Sequence, residues 1–234
     1  MATLNFDAHA EKYDGWFMKN PNVLASEVLL IRRALGDPGR TLSVGCGSGL
    51  FEWILQRDHG ITIRHGVEPA PAMARIAERR GLSVEIGTAE DVPFEDAGFD
   101  TVLLNGTPAY LKDLVKAFRE AHRVLRPGGH IVIGDVPASS SYGMLYQMAG
   151  LIGTWDDPRL RKIAPRDPYP VPFVQEANWR TTEEISEILH AVGFRDFGYA
   201  QTLTTHARFS NDAVEEPVEG YDRGGYVAIR ARKE

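Results

Sequence analysis

The chain has 234 residues with 43% hydrophobic and 25% charged residues, an ordinary globular composition for one α/β domain with insertions. A single cysteine, Cys46, excludes an intramolecular disulfide and a thiolate zinc cluster. A net charge of −6 disfavours general binding to nucleic-acid backbones, and the absence of an apolar leader or of a run near 18 apolar residues points to a cytoplasmic protein with no membrane span.

Residues 1–40 read as an N-terminal cap. They contain an amphipathic helix over residues 22–35, with Leu24, Val28, Ile31 and Leu35 on one stripe. From residue 41 to 135, short β-rich runs alternate with helical stretches. Strands are predicted at 41–44, 62–67, 83–86, 101–104 and 130–133, and helices at 50–57, 72–80 and 112–125. Such alternation predicts a parallel sheet with helices on both faces. The helix over 112–125 stops at Pro127-Gly128-Gly129, and the one over 72–80 stops at Gly81.

Residues 136–180 form an insertion between the fifth and sixth strands. Six aromatic residues there, Tyr142, Tyr146, Trp155, Tyr169, Phe173 and Trp179, stand among prolines. The stretch is too aromatic for a disordered linker. It reads as helical near 142–152 and irregular afterwards. A helix over 182–192 follows, with a capping-box pattern at Thr181 and Glu184 and a stop at Gly193. Residues 194–203 and 225–231 read as strands joined without a helix, hence as an antiparallel pair, with a loop over 204–222 between them.

The chemistry concentrates at Leu42-Ser43-Val44-Gly45-Cys46-Gly47-Ser48-Gly49-Leu50. A short apolar strand runs through Gly45, Gly47 and Gly49 into a helix. Glycine serves where the backbone turns sharply and where a ligand approaches main-chain N–H groups. Helix N-termini favour negative ligand groups. Glu68 follows at the end of the second strand, where a carboxylate can accept from both ribose hydroxyls of a nucleoside. The dinucleotide pattern Gly-x-Gly-x-x-Gly is broken by Leu50, which weakens an NAD(P)-linked reading.

These residues resemble a class I S-adenosylmethionine-dependent methyltransferase, of the small-molecule type that includes the ubiquinone and menaquinone C-methyltransferases. Residues 42–49 resemble the first motif of that family. Gly66-Val67-Glu68-Pro69 with Met73 resembles the second, in which the acid binds ribose and the next residues flank adenine. Gly87-Thr88-Ala89-Glu90-Asp91-Val92-Pro93-Phe94 resembles the third, with Thr88 where an acid commonly stands. Phe99-Asp100-Thr101-Val102 and the run from Arg119 to Gly129 resemble the fourth strand and the helix and turn before the fifth. Ala10, Tyr13 and Asp14 resemble an N-terminal segment that folds over the cofactor.

The resemblance implies a Rossmann-like, seven-stranded α/β sheet with the last strand antiparallel. It also implies S-adenosylmethionine as cofactor, a small-molecule methyl acceptor and catalysis by in-line positioning without a metal. The implied cofactor residues are Tyr13, Gly45, Cys46, Gly47, Gly49, Glu68, Pro69, Met73, Thr88, Ala89, Glu90 and Asn105. Ligands bind at the C-terminal ends of strands in open α/β sheets, so Tyr110, Asp135, Tyr142 and Tyr146 are the acceptor-side candidates. Asp135 reads either as a base or as a turn cap before Pro137. His206, in the long final loop, could reach the same mouth or be solvated, and His122 reads as structural. Arg75, Arg79 and Arg80 read as a solvated helix face. Cys46 reads as a small residue filling a tight space. The alternatives to transfer are a cofactor-binding protein without turnover and an NAD(P)-linked oxidoreductase.

Overall fold

The computed structural model describes residues 6–234, with side chains from Tyr13 onward. Two helices lead the chain, α1 (Phe6–Lys19) and α2 (Pro21–Leu35). Proline at the start of α2 gives up an N–H that would lack an intrahelical partner, and Gly36 ends that helix with φ of 59°.

Strands β1 (Thr41–Val44), β2 (His65–Glu68), β3 (Ser83–Ile86), β4 (Phe99–Asn105) and β5 (Leu125–Asp135) follow, with helices α3 (Leu50–His59), α4 (Pro71–Arg79) and α5 (Leu114–Val124) among them. All neighbouring pairs within this set are parallel. The insertion carries α6 (Ser141–Ile152) and α7 (Val171–Glu176), and α8 (Thr182–Val192) opens the C-terminal part. The capping box at Thr181 and Glu184 forms as predicted, with both reciprocal bonds present.

The last strands are β6 (Phe194–Thr202), β7 (Val218–Glu219) and β8 (Tyr226–Lys233). The sheet order is β3-β2-β1-β4-β5-β8-β6-β7. β8 lies antiparallel to both β5 and β6, as the missing crossover helix predicts.

The sheet therefore has eight strands rather than the expected seven. The extra one is β7, two residues paired to Ala200 and Gln201 within the stretch read as loop. Two residues are too short to show alternation in sequence. The pairing is held locally, by Gly220 N–H donating to the Tyr199 carbonyl at 3.2 Å and by the Gln201 amide donating to the Glu219 carbonyl at 3.2 Å.

Apolar layers cover both faces. Leu103 and Val132 pack with Leu30, Ile31 and Leu35 of α2 and Leu55 of α3. Val102, Leu104 and Ile131 pack on the other side with Phe118 of α5 and Leu189 of α8. The middle of β4 is accordingly a continuous apolar run, Val102-Leu103-Leu104, the mark of a strand buried on both faces. This arrangement leaves the C-terminal ends of β1, β2, β4 and β5 together at one edge. Gly45, Glu68, Asn105 and Asp135 all stand at or just beyond those ends.

Candidate functional site

The turn after β1 takes its shape from its glycines. Gly45, Gly47 and Gly49 have φ of 68°, 55° and 69°, which L side chains rarely adopt. The positions differ in what surrounds them. A Cβ on Gly45 would lie 2.5 Å from Thr107 Cγ2, and one on Gly49 would lie 3.1 Å from the Ala77 backbone. A Cβ on Gly47 would meet nothing within 4 Å. Gly45 and Gly49 are thus required by the fold itself. Gly47 leaves space open above its backbone.

Glu68 is buried at the end of β2 and is fixed from two sides. Its Oε2 accepts from the Gly47 N–H at 2.9 Å, and its Oε1 accepts from the Ala70 N–H at 2.9 Å. The acid and the glycine turn are one hydrogen-bonded unit. Cys46 is buried, and a Cβ on Gly66 would sit 2.7 Å from its Sγ. Burial pushes its thiol well above the usual range, so it fills space as a protonated group. Pro69 is exposed beside Glu68, while Met73 is buried in α4 and packs with Tyr13 of α1. Thr88 is exposed and bridged to Asp91, Ala89 is buried, and Glu90 Oε1 accepts from the Asp113 N–H at 3.4 Å.

The first helix is latched onto the turn. Ser48 Oγ donates to Asp14 Oδ1 at 2.6 Å, and Arg80 reaches Asp14 Oδ2 at 2.7 Å and the Ser48 carbonyl at 2.9 Å. Arg80 is therefore not on the solvated face expected for it. It closes the C-terminus of α4 over the turn. Both side chains of the pair are only 17–23% exposed. Asp14→Ala should cost about 1 kcal/mol of stability, measured by urea unfolding, the upper end for a pair still partly in solvent. The side chain of Ala10 lies outside the described residues.

Asn105 and Asp135 border a cavity of about 580 Å3, a volume that includes space opening to solvent. Tyr13, Trp16 and Phe17 of α1 form one wall, and Tyr146, Tyr169 and Trp179 of the insertion form another. The rings brace one another, with centroids 4.9 Å apart for Trp16 and Tyr169 and 5.7 Å for Tyr146 and Trp179. Tyr110 also lines the space and meets Tyr169 hydroxyl to hydroxyl at 3.4 Å. The insertion is stitched to the turn after β4, through Asn178 N–H donating to the Ala109 carbonyl at 2.6 Å and Arg180 donating to the Pro108 carbonyl at 3.0 Å.

Asp135 Oδ1 accepts from the Val136 N–H at 2.8 Å, so the turn-cap contact exists. The same carboxyl also faces the cavity, and burial pushes its pKa up to about 7. Asn105 Oδ1 accepts from the Tyr226 hydroxyl at 3.0 Å. Tyr142 lines a smaller adjoining cavity instead, with its ring packed under Gly225. His206 caps a short turn by accepting from the Arg208 N–H and lines neither cavity, and His122 packs edge-on against Phe194. Glu27 of α2 lines both cavities and was missed by the sequence reading. The signal was present, because Glu27 falls on the stripe of Leu24, Val28 and Ile31, where an acid is out of place. Among the described residues no group of three or more His, Cys, Asp or Glu could hold a metal ion.

A Rossmann-like sheet with β8 reversed between β5 and β6, a glycine turn after β1 and an acid at the end of β2 defines a nucleoside-binding transferase fold. The comparisons name the class. A methyltransferase domain model matches residues 42–133. A SAM-dependent methyltransferase of Thermotoga maritima, described as a possible histamine N-methyltransferase, superposes with a TM-score of 0.84 at 31% identity, over 98% of both chains. An uncharacterized protein of Methanocaldococcus jannaschii is 34% identical over 97% of this chain and 98% of its own. The demethylmenaquinone methyltransferase of Corynebacterium kroppenstedtii is 23% identical over 83% of this chain and 86% of its own. The chain belongs to the S-adenosylmethionine-dependent methyltransferases.

Proposed function

We propose that the protein transfers the methyl group of S-adenosylmethionine to a small organic acceptor held in the aromatic cavity beside Asn105 and Asp135. The observation that carries this reading is the cavity itself. It is walled by aromatic rings with a few convergent polar groups, the make-up of a site for an organic ligand, and it adjoins the end of β4 at Asn105 and Gly106. One relative described as a possible histamine N-methyltransferase and another named a demethylmenaquinone methyltransferase support an organic acceptor without choosing one. The oxidoreductase alternative has nothing in its favour once the family is known.

The residues present fit the cofactor. Gly47 offers an open backbone, and Glu68 is held at the strand end where a ribose would reach it. An ionised carboxylate has about four acceptor sites, enough for backbone N–H groups and sugar hydroxyls together. In this proposal Gly45, Cys46, Gly47 and Gly49 surround the amino-acid part with Asn105. Pro69, Met73, Thr88, Ala89 and Glu90 surround the base, and Tyr13 closes over it. Bound S-adenosylmethionine supplies an activated methyl group on a positively charged sulfur. The chain positions the acceptor, and proximity and orientation can supply up to roughly 7–11 kcal/mol. Aromatic walls from α1 and the insertion exclude water. Asp135 is poised to accept a proton where the acceptor brings one.

Tyr146→Ala should lower transfer to an acceptor found by screening labelled methyl transfer. Its cofactor affinity should stay within about threefold, roughly 0.6 kcal/mol. Tyr142→Ala, beside the smaller cavity, should affect transfer less. Collapse of cofactor affinity in Tyr146→Ala would show that this wall serves the cofactor instead.

A further inference from the structure

We infer that the acceptor is an amine that enters the cavity as a cation, and that Glu27 together with Asp135 selects it. This rests on the methyl-transfer reading above and adds the chemistry of the acceptor to it.

Glu27 is 6% exposed and sits among apolar residues of α2. Among the described residues nothing hydrogen-bonds its carboxyl, which faces the space of both cavities. A buried acid with neither cation nor hydrogen bond is costly, and an apolar residue there would pack better. The groups that face Glu27 are phenols: Tyr13 from α1, Tyr142 and Tyr146 from α6, and Tyr226 from β8. Nearby acids give no relief. Glu52 of α3 is taken up by Ser43, whose hydroxyl donates to it at 2.6 Å, and Asp135 of β5 is itself acidic. Burial pushes Glu27 up to about 8, so it holds a proton while the cavity lacks a cation.

Among the described residues the cavity has no positive lining. None of the described residues around it is Lys, Arg or His. Arg180 acts on Asp135 from behind, but its guanidinium is engaged with the Pro108 and Asn178 carbonyls. With two carboxyls and no cation among the described lining residues, a phosphate or carboxylate acceptor finds no counter-charge, and a neutral acceptor gains little from Glu27. A cation gains from both acids and from the ring faces of Trp16, Tyr146, Tyr169 and Trp179.

The proton balance is simple. An ammonium has no lone pair, so it first gives one proton to the Asp135 carboxylate. The freed nitrogen lone pair then forms the bond to the methyl carbon, and the carbon–sulfur bond breaks with its electron pair going to sulfur. The methylated nitrogen carries the positive charge, and Glu27 pairs with it. Glu27 must be ionised in that complex, so amine binding releases a proton near neutral pH.

The same acids could instead serve the cofactor's own ammonium group, and the test separates the two. S-Adenosylhomocysteine is bound first, so that no transfer occurs. Calorimetry then compares amine and alcohol partners of one shape: 2-phenylethylamine with 2-phenylethanol, tryptamine with tryptophol, hexylamine with hexanol. In at least one pair the amine should bind tenfold tighter or more, with an enthalpy that depends on the buffer because a proton is released. Glu27→Gln should erase that preference while S-adenosylhomocysteine affinity stays within threefold. Glu27→Met, a side chain of similar size, should do the same and serves if the Gln variant does not fold. No preference in any pair of the unaltered protein overturns the inference. So does loss of S-adenosylhomocysteine affinity in either variant. If the unaltered protein fails to bind S-adenosylhomocysteine, it is the underlying cofactor placement that has failed.

Discussion

Gly47→Val should abolish S-adenosylmethionine binding while leaving a folded protein. Gly47 has φ of 55°, so a branched side chain is strained there by about 1–3 kcal/mol, a loss most domains survive. Among the described residues, its two chain neighbours aside, no atom lies within 4 Å of the Cβ position, so the new side chain projects into the space left for the ligand. Binding should fall by at least about 100-fold, roughly 2.7 kcal/mol. Gly45→Val provides the contrast. Its Cβ would collide with Thr107 Cγ2 at 2.5 Å, so this variant should lose stability as well as binding. Thermal melts and calorimetry on the two proteins separate the effects. Unchanged cofactor affinity in folded Gly47→Val would place the cofactor elsewhere.

Glu68→Ala should be nearly as severe, for a different reason. The carboxylate holds the Gly47 and Ala70 N–H groups, and its loss leaves both without their acceptor. Hydrogen bonds to a charged group are worth about 1.5–3 kcal/mol each. The variant should therefore lose stability of the turn and, with the carboxylate's bonds to the ribose gone, about 1.5–3 kcal/mol of cofactor affinity. Glu68→Gln keeps an acceptor oxygen for one N–H and should fall between. Equal affinity of the Ala variant and the unaltered protein, by calorimetry, would remove Glu68 from the cofactor site.

What could be read in the sequence follows from how local each signal is. The glycine turn was legible because three glycines at alternate positions can mean little other than positive φ, and all three adopt it. The capped helix α8 was legible because its start and stop signals lie within its own residues. The last strand pair was legible from the missing crossover. The latch through Arg80 was not, because Asp14 and Arg80 meet only when α1 crosses α4, and no spacing rule links residues 66 positions apart. Tyr142 and Tyr146, one helical turn apart, could not be told apart from spacing. In the fold Tyr142 packs under Gly225 and lines only the smaller cavity, whereas Tyr146 lines both. Glu27 marks a different kind of miss. The helical stripe was drawn through Leu24, Val28, Ile31 and Leu35, and its one acidic member, 6% exposed, was not singled out.

The place of β8 in the sheet bears on how the chain reaches this structure. β8 is hydrogen-bonded on one side to β5 and on the other to β6, and on its β8 side His130 is paired to Arg232, about a hundred residues away in the chain. During synthesis β6 emerges first, yet it can join only the two-residue β7, and not the main sheet, until β8 arrives between it and β5. The edge of β5 stays unpaired for the same interval, with apolar Ile131 and Ile133 on it. Closure of so distant a pairing is slow, because the entropy of a long loop is lost before any contact forms. An unpaired apolar edge is also a template for association with other chains. Folding should therefore show a late step that depends on the final strand, and the half-made sheet before it is the species most prone to aggregate.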